Sequence, residues 1–140
     1  MPTSNNRLLQ LYKQGQRDFH GWNLSGCDLS QLALSEIDLS YANLSFTNLS
    51  GTDLHWSELR GANLTQANLS RTNLHRARLQ YANLTAARLV GADLRAADFS
   101  SAILTCANLA QADVWGAISP DGFNWLRVGS MTRANEPTLV

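Results

Sequence analysis

A large apolar residue recurs at every fifth position over most of this chain. The series starts at Phe19 and runs without a gap to Val114. The residue two places before each member is mostly small, and in the later repeats it is alanine, while Asp or Asn is favoured in between. A period maintained over this length is an internal repeat, and such a repeat governs the whole fold. The predicted core consists of Phe19, Leu24, Leu29, Leu34, Leu39, Leu44, Leu49, Leu54, Leu59, Leu64, Leu69, Leu74, Leu79, Leu84, Leu89, Leu94, Phe99, Leu104, Leu109 and Val114.

A five-residue period fits neither a helix nor a straight strand. In an α-helix five residues advance by about 140°, so the leucines would spread around the whole cylinder. In a straight strand an odd period sends successive leucines to opposite faces. A short extended piece followed by a corner keeps the large residue and its small neighbour inside every repeat. The pattern therefore predicts an all-β solenoid, whose converging sides leave room for only one large group per repeat.

The repeat unit carries a family resemblance. Its form is Ala-[Asp/Asn]-Leu-x-x, as in ANLTQ at 62–66 and ADLRA at 92–96, and it resembles the pentapeptide-repeat family over about residues 17–118. The resemblance implies a right-handed quadrilateral β-helix with four pentapeptides in each coil. Twenty repeats then make about five coils. A twenty-residue spacing is also visible directly, in Asn23, Asn43, Asn63 and Asn83.

Both ends of the repeat region carry candidate caps, which a stack of coils needs because its terminal layers expose apolar side chains. We expect residues 1–16 to form an N-terminal capping helix, with Ser4 as N-cap and Gly15 as its stop. Residues 17–118 form the β-helix, and residues 119–140 form an irregular C-terminal cap and a mobile tail from Ser130 onward. The apolar residues expected to cover the last coil are Phe123, Trp125, Leu126 and Val128. Such a cap leaves two states open, a monomer or a dimer through this end.

Composition narrows the classes of function. The 140 residues contain 11 Lys and Arg and 11 Asp and Glu, so the formal net charge is +0. This balance disfavours direct nucleic-acid binding and attachment to an anionic membrane. Cys27, expected inside, and Cys106, expected at an outward corner, show no metal-binding spacing. With no apolar run of membrane-spanning length, we expect a cytoplasmic, non-enzymatic protein with no cofactor and no metal.

The outward positions are the informative ones, because the repeat does not dictate them. Folding at twenty residues per coil places a tryptophan beside cations, a combination common at recognition surfaces. The candidate partner-binding residues are His55, Trp56, His75, Arg76, Arg78 and Arg95. Glu36 falls in the column of Trp56, and Glu58 falls across the corner. The alternative is a solvated surface on which the stem of Arg76 covers Trp56. A second, weaker candidate patch comprises Tyr41, Phe46 and Tyr81.

Two functions remain open at this stage. The first is a non-enzymatic scaffold or regulatory module that binds a protein partner of unknown identity. The repeat region begins with GQRDF at 15–19 and ends near SPDG at 119–122. Both segments are similar to those of small pentapeptide-repeat proteins of photosynthetic bacteria, and this resemblance implies a regulatory role by analogy. The alternative is a DNA mimic that inhibits or protects DNA gyrase or another DNA-binding protein. Balanced charge and the interruption of acidic columns by Arg78 and Arg88 depart from that pattern.

Overall fold

Parallel backbone bridges join residues that lie twenty apart along the chain. The computed structural model describes residues 4–125, and within them each bridge is a single residue long. The bridges form four columns, which we call faces 1 to 4. They contain Asp18, Asp38, Glu58, Arg78, Asp98 and Ile118 (face 1); Asn23, Asn43, Asn63, Asn83 and Ile103 (face 2); Asp28, Asn48, Asn68, Arg88 and Asn108 (face 3); and Ala33, Asp53, Asn73, Asp93 and Asp113 (face 4).

The hydrogen bonds between coils repeat with the same spacing. The Leu64 N–H donates to the Asn83 carbonyl at 2.7 Å, and the Asn83 N–H donates to the Ala62 carbonyl at 2.9 Å. Because each bridge pairs a residue with its counterpart in the next coil, adjacent layers lie about 4.8 Å apart. The chain is therefore a four-sided β-helix in which twenty residues make one coil.

The corner after each short extended piece holds a residue in the left-handed backbone region. Besides glycines, this position is occupied by larger residues such as Tyr41 (φ 59°), Trp56 (φ 61°) and Arg76 (φ 61°). This conformation costs a non-glycine residue about 1–2 kcal/mol and needs support from its surroundings. The support is a hydrogen bond between coils, as where the Trp56 N–H donates to the His75 carbonyl at 2.9 Å. Side chains at these corners consequently project outward from a fixed backbone.

Aspartate and asparagine prevail before the leucine because they close the corner that follows. Asn43 Oδ1 accepts the Ser45 N–H at 3.1 Å, and Asn63 Oδ1 accepts the Thr65 N–H at 3.1 Å. This is the Asx-type turn to which short side chains with an oxygen at this position are suited. The asparagine oxygens are thus used within each repeat.

The core is the column of large apolar side chains. All members of the series from Phe19 to Val114 are at most 3% exposed. The second inward position is filled by alanines and by threonines such as Thr72, whose Oγ1 donates to the Leu49 carbonyl at 2.7 Å. Cys27 is half-buried at this position in the first coil, and Cys106 is exposed at a corner. Hydrogen bonding to the backbone explains how the hydroxyl of Thr72 is tolerated inside.

Helix α1 (Ser4–Lys13) covers the first coil. Leu8 is fully buried in the core, and the Tyr12 hydroxyl donates to the Ser35 carbonyl at 2.8 Å. The helix ends in a Schellman motif, since the Gln16 N–H donates to Leu11 O at 3.0 Å and Gly15 has a φ of 102°. Ser4 is itself helical rather than the cap that the sequence predicts.

The chain leaves the β-helix through a short antiparallel turn. Ile118 bridges to Asn124, and the turn between them brings Trp125 back onto the end of the core. Trp125 is fully buried, with its ring centroid 5.4 Å from that of Phe99. The prediction that Phe123 also covers the last coil is wrong, because this side chain is exposed on the turn. Leu126, Val128 and the tail predicted from Ser130 lie outside the described residues.

Candidate functional site

The corner column that contains Trp56 joins an aromatic ring to a cation and a carboxylate. Glu36, Trp56 and Arg76 occupy the same corner in three consecutive coils, each with a positive φ. Arg76 Cζ lies 4.9 Å from the centroid of the indole, which is within cation–π range. Trp56 is nevertheless 53% exposed. The corner therefore presents a large aromatic surface that Arg76 covers only in part.

An open cavity adjoins the ring of Trp56. It has a volume of about 410 Å³ and is lined by Glu36, Trp56 and Glu58. Glu36 comes from the coil before the tryptophan, Glu58 from the same coil on face 1, and Arg76 from the coil after. The cavity thus combines an indole with two carboxylates, whereas the other neighbour of the ring is a guanidinium.

Arg78 contacts this cavity weakly. Its Nη1 lies 3.4 Å from Glu58 Oε1, and its side chain is 64% exposed. One long contact between exposed groups contributes little, because solvent screens the attraction. Arg78 is therefore a movable partner of Glu58.

Arg95 is held by its own repeat. Its Nε and Nη2 donate to the two carboxylate oxygens of Asp93 at 2.8 and 2.7 Å. These hydrogen bonds lower the pKa of Asp93 and raise that of Arg95. Asp113 approaches Arg95 Nε at 3.9 Å from the next coil. Arg95 is consequently directed to face 4 rather than to Trp56.

The two histidines of the candidate patch lie in one column beside the tryptophan. The ring nitrogen Nδ1 of His55 is 2.7 Å from Asp53 Oδ1, whereas it is the backbone N–H of His75 that donates to Asn73 Oδ1 at 3.0 Å. Within residues 4–125 no three His, Cys, Asp or Glu side chains are grouped closely enough to hold a metal ion.

The second candidate patch divides between two corners. Tyr41 and Tyr81 share a column with Gly61, and Phe46 occupies the following corner across face 2; the three aromatic side chains are exposed. Arg60 Cζ lies 5.0 Å from the centroid of the Tyr81 ring. A cation–π contact therefore joins this patch to the guanidinium of Arg60.

Three residues of these surfaces are absent from the residues that the sequence singles out for binding. Glu36 and Glu58 line the cavity, and Arg60 contacts Tyr81. The twenty-residue period already aligns Glu36 with Trp56, so a signal for it exists. The cavity itself depends on side-chain directions at the corner, which the period does not give.

Comparisons with known proteins agree with the repeat geometry. A family model described as pentapeptide repeats (8 copies) matches residues 18–55, 57–95 and 77–116. None of the curated proteins matches the sequence significantly. Similar solved structures are pentapeptide-repeat proteins, whose fold is the right-handed quadrilateral β-helix.

Three of these structures illustrate the range of likeness. A pentapeptide repeat protein from the Arabidopsis thaliana thylakoid lumen is 27% identical, with a TM-score of 0.68 over 85% of this chain and 88% of that one. HetL, involved in heterocyst differentiation regulation in the cyanobacterium Nostoc sp. strain PCC 7120, is 35% identical over 78% of this chain and 48% of its own, with a TM-score of 0.45. Rfr23 from the cyanobacterium Cyanothece 51142 is 33% identical over 79% and 93%, also with a TM-score of 0.45.

The described helix does not have the character of a membrane span. Within residues 4–125 no helix combines the length and the apolar composition needed to cross a bilayer.

Proposed function

Because the chain belongs to the pentapeptide-repeat family, we propose that it is a non-enzymatic scaffold or regulatory module that binds a protein partner through side-chain columns on its rigid faces. The observation that carries this proposal is the half-exposed Trp56, flanked by Arg76 and by a cavity with two carboxylates. Tryptophan and arginine are enriched among the residues that dominate binding energies.

Rigidity supports the same proposal. The corner N–H groups of Glu36 and Trp56 donate to carbonyls of the following coil, each at 2.9 Å. A partner that binds here orders few backbone degrees of freedom, which reduces the entropic cost of association. In this proposal the β-helix of residues 17–118 has about five coils, with the capping helix at 1–16 and a cap and tail at 119–140. We place the protein in the cytoplasm, as a monomer or as a dimer through its C-terminal cap.

The candidate surface is the set His55, Trp56, His75, Arg76, Arg78 and Arg95, with Tyr41, Phe46 and Tyr81 as the second surface. Within the first set we give Trp56 and Arg76 the contacting roles. Arg95 is less available because both oxygens of Asp93 hold it. The gyrase-directed DNA mimic has weaker support, since Arg78 and Arg88 are exposed in columns that would need to be acidic.

Capture of partners from a lysate of the source cells tests the proposal. The unaltered chain is compared with a Trp56→Gln, Arg76→Gln variant and with a Tyr41→Gln, Tyr81→Gln variant. Glutamine is the matched replacement because Gln31, Gln66 and Gln111 occupy equivalent corners with positive φ. We expect a specific partner that the first variant loses and the second retains.

Three other results are informative. Loss only in the tyrosine variant moves the site to the second surface. Absence of any captured protein contradicts the scaffold. Protection of gyrase supercoiling at stoichiometric amounts of this chain favours the DNA mimic instead. Unchanged thermal unfolding of both variants is the required control.

A further inference from the structure

We propose that the cavity beside Trp56 binds the guanidinium group of an arginine on the protein partner. This inference rests on the proposed function and specifies the chemistry of its site. The cavity of about 410 Å³ is lined by Glu36, Trp56 and Glu58, which are two carboxylates and one indole. Both kinds of group attract cations, the first by charge and the second through the negative face of the ring.

The charge on the cavity is largely uncompensated. Among the described residues Glu36 has no ion pair within 4.0 Å, and Glu58 has only the contact with Arg78 at 3.4 Å. Arg76 lies against the indole, and no ion pair joins it to either glutamate. A positively charged group of a partner therefore finds two carboxylates whose charge the chain itself neutralises only in part, at Glu58.

The shape of the site favours guanidinium over ammonium. A guanidinium is planar, stacks on aromatic rings and pairs with a carboxylate through two parallel hydrogen bonds. An exposed indole edged by carboxylates from two successive coils offers both kinds of contact at once. Arg76 already makes a cation–π contact with this ring, with its Cζ 4.9 Å from the centroid.

The lining residues are held in place before any ligand arrives. The Glu36 N–H donates to the His55 carbonyl at 2.9 Å, and the Glu58 N–H donates to the Ile37 carbonyl at 2.9 Å. Their Cα atoms therefore stay in register between coils, and binding orders only the two glutamate side chains. This limits the entropic cost that usually weakens exposed ion pairs.

Arg78 is the chain's own competitor for the site. Its single contact with Glu58 neutralises part of the charge, and its exposed side chain is free to swing away. An arginine of the partner takes the place of Arg78 in the contact with Glu58. The proposal therefore predicts that removal of Arg78 strengthens binding, an effect opposite to the loss expected if Arg78 itself contacts the ligand.

The test is a titration of the full chain followed by the NMR signal of the Trp56 indole N–H. The probe is the blocked tripeptide Gly-Arg-Gly, and the matched control is the same peptide with citrulline, which keeps the shape but lacks the charge. We expect saturable shifts with the arginine peptide, binding about fivefold or more tighter than citrulline, and weakening with added salt. A lysine peptide should bind more weakly than arginine.

Variants locate the binding in the cavity. We expect Glu36→Gln and Glu58→Gln each to weaken the arginine peptide by about threefold, and Arg78→Asn to strengthen it by about twofold. Asparagine is the matched replacement at 78 because it holds the equivalent position in the two neighbouring repeats, at Asn73 and Asn83. Trp56→Gln removes the indole whose NMR signal reports binding, so calorimetry measures the expected loss of arginine-peptide binding in this variant.

Equal binding of arginine and citrulline, or unchanged affinity in both glutamate variants, overturns the inference. Capture of a partner that depends on Trp56 but survives the Glu36→Gln, Glu58→Gln double change also overturns it, while the scaffold function stands. Tight binding of the arginine peptide with no protein captured from the lysate contradicts the scaffold and leaves only the ligand chemistry of the cavity.

Discussion

The ring of Tyr41 lies against the backbone of Gly61, one coil further along the chain. A Cβ added at Gly61 would come within 2.6 Å of Tyr41 Cδ1, closer than real Cβ contacts. Gly61 also has a φ of 66°, in the left-handed region. Glycine at this corner therefore serves two purposes, since it permits the turn and makes room for the aromatic ring of the preceding coil.

We predict that Gly61→Ala destabilises the fold more than Gly91→Ala. Both glycines occupy equivalent corners, but the closest atom to a Cβ at Gly91 is Arg71 Cγ at an ordinary 3.5 Å. Gly91→Ala should cost about 1 kcal/mol, from backbone strain alone. Gly61→Ala should cost about 1 kcal/mol more, because the Tyr41 ring must move away to make room for the added methyl group. Denaturant unfolding measures the loss of stability in each variant. The difference between the two losses should vanish in a Tyr41→Ala background.

A second prediction concerns the N-terminal cap. The Tyr12 hydroxyl donates to the Ser35 carbonyl at 2.8 Å, in place of a corner N–H from a preceding coil. Tyr12→Phe leaves this carbonyl without that donor and should cost about 1 kcal/mol. Hydrogen exchange should speed up in the first coil. Tyr81→Phe is the control, since the exposed Tyr81 hydroxyl has no partner among the described residues; equal effects of the two changes would contradict the role given to Tyr12.

The C-terminal end should depend on Trp125. This side chain is fully buried against Phe99, so Trp125→Ala should cost about 3–5 kcal/mol and first loosen the last coil. The loss should appear as faster exchange of the Phe99 and Ser101 amides, which donate to Ile118 and Pro120. Phe123→Ala removes an exposed ring from the same turn and should change little. Protection that survives Trp125→Ala would show that Trp125 does not hold this end.

Asp18 and His20 form a pH-sensitive pair on the surface. His20 Nδ1 lies 2.6 Å from Asp18 Oδ1, and this hydrogen bond raises the pKa of His20 above 6.5 and lowers that of Asp18 below 3.8. The contribution of His20 is complete below pH 6.5 and is lost as the pH rises through its raised pKa; that of Asp18 is lost as the pH falls through its lowered pKa. The pair therefore contributes most to the stability of the folded state between pH 3.8 and pH 6.5.

An NMR titration of the His20 ring checks the pair. In the Asp18→Asn variant we expect the pKa of His20 to return toward 6.5, because the anionic acceptor is gone. The effect on stability should be small, since both groups are exposed and solvent screens their attraction. A pKa of His20 that is the same in both proteins would contradict the hydrogen bond.

Particular residues show how far a prediction from the sequence reaches. The burial of Leu64 and the alignment of Glu36 with Trp56 and Arg76 follow from the two periods alone. The different contacts of Arg78 and Arg95 do not follow from these periods, although both residues belong to the candidate patch. Arg95 stands two residues after Asp93, and the bend between them lets it reach both carboxylate oxygens. Within residues 4–125 Arg78 has only a single, longer ionic contact, with Glu58 of the preceding coil.

The ends differ for a similar reason. Gly15 as the stop of the helix was predicted correctly, because a Schellman motif depends on local backbone chemistry. Phe123 and Trp125 are both aromatic and two residues apart, yet only Trp125 is buried. The path of the turn, set by the bridge between Ile118 and Asn124, decides which of the two aromatic side chains is buried. The five-residue repeat does not extend into this segment and so could not predict it.

The sequence by itself determined the repeat and its inward positions, because a five-residue period leaves one kind of arrangement in which every large apolar residue is inside. The four-sided winding followed from the resemblance of the repeat to the pentapeptide-repeat family. Only the tertiary structure decided which outward residues act together. Contacts such as Arg76 with Trp56, Tyr41 with Gly61 and the cavity between Glu36 and Glu58 depend on the directions of side chains from neighbouring coils. Those directions are set by three-dimensional packing at the corners, on which the repeat places no restriction.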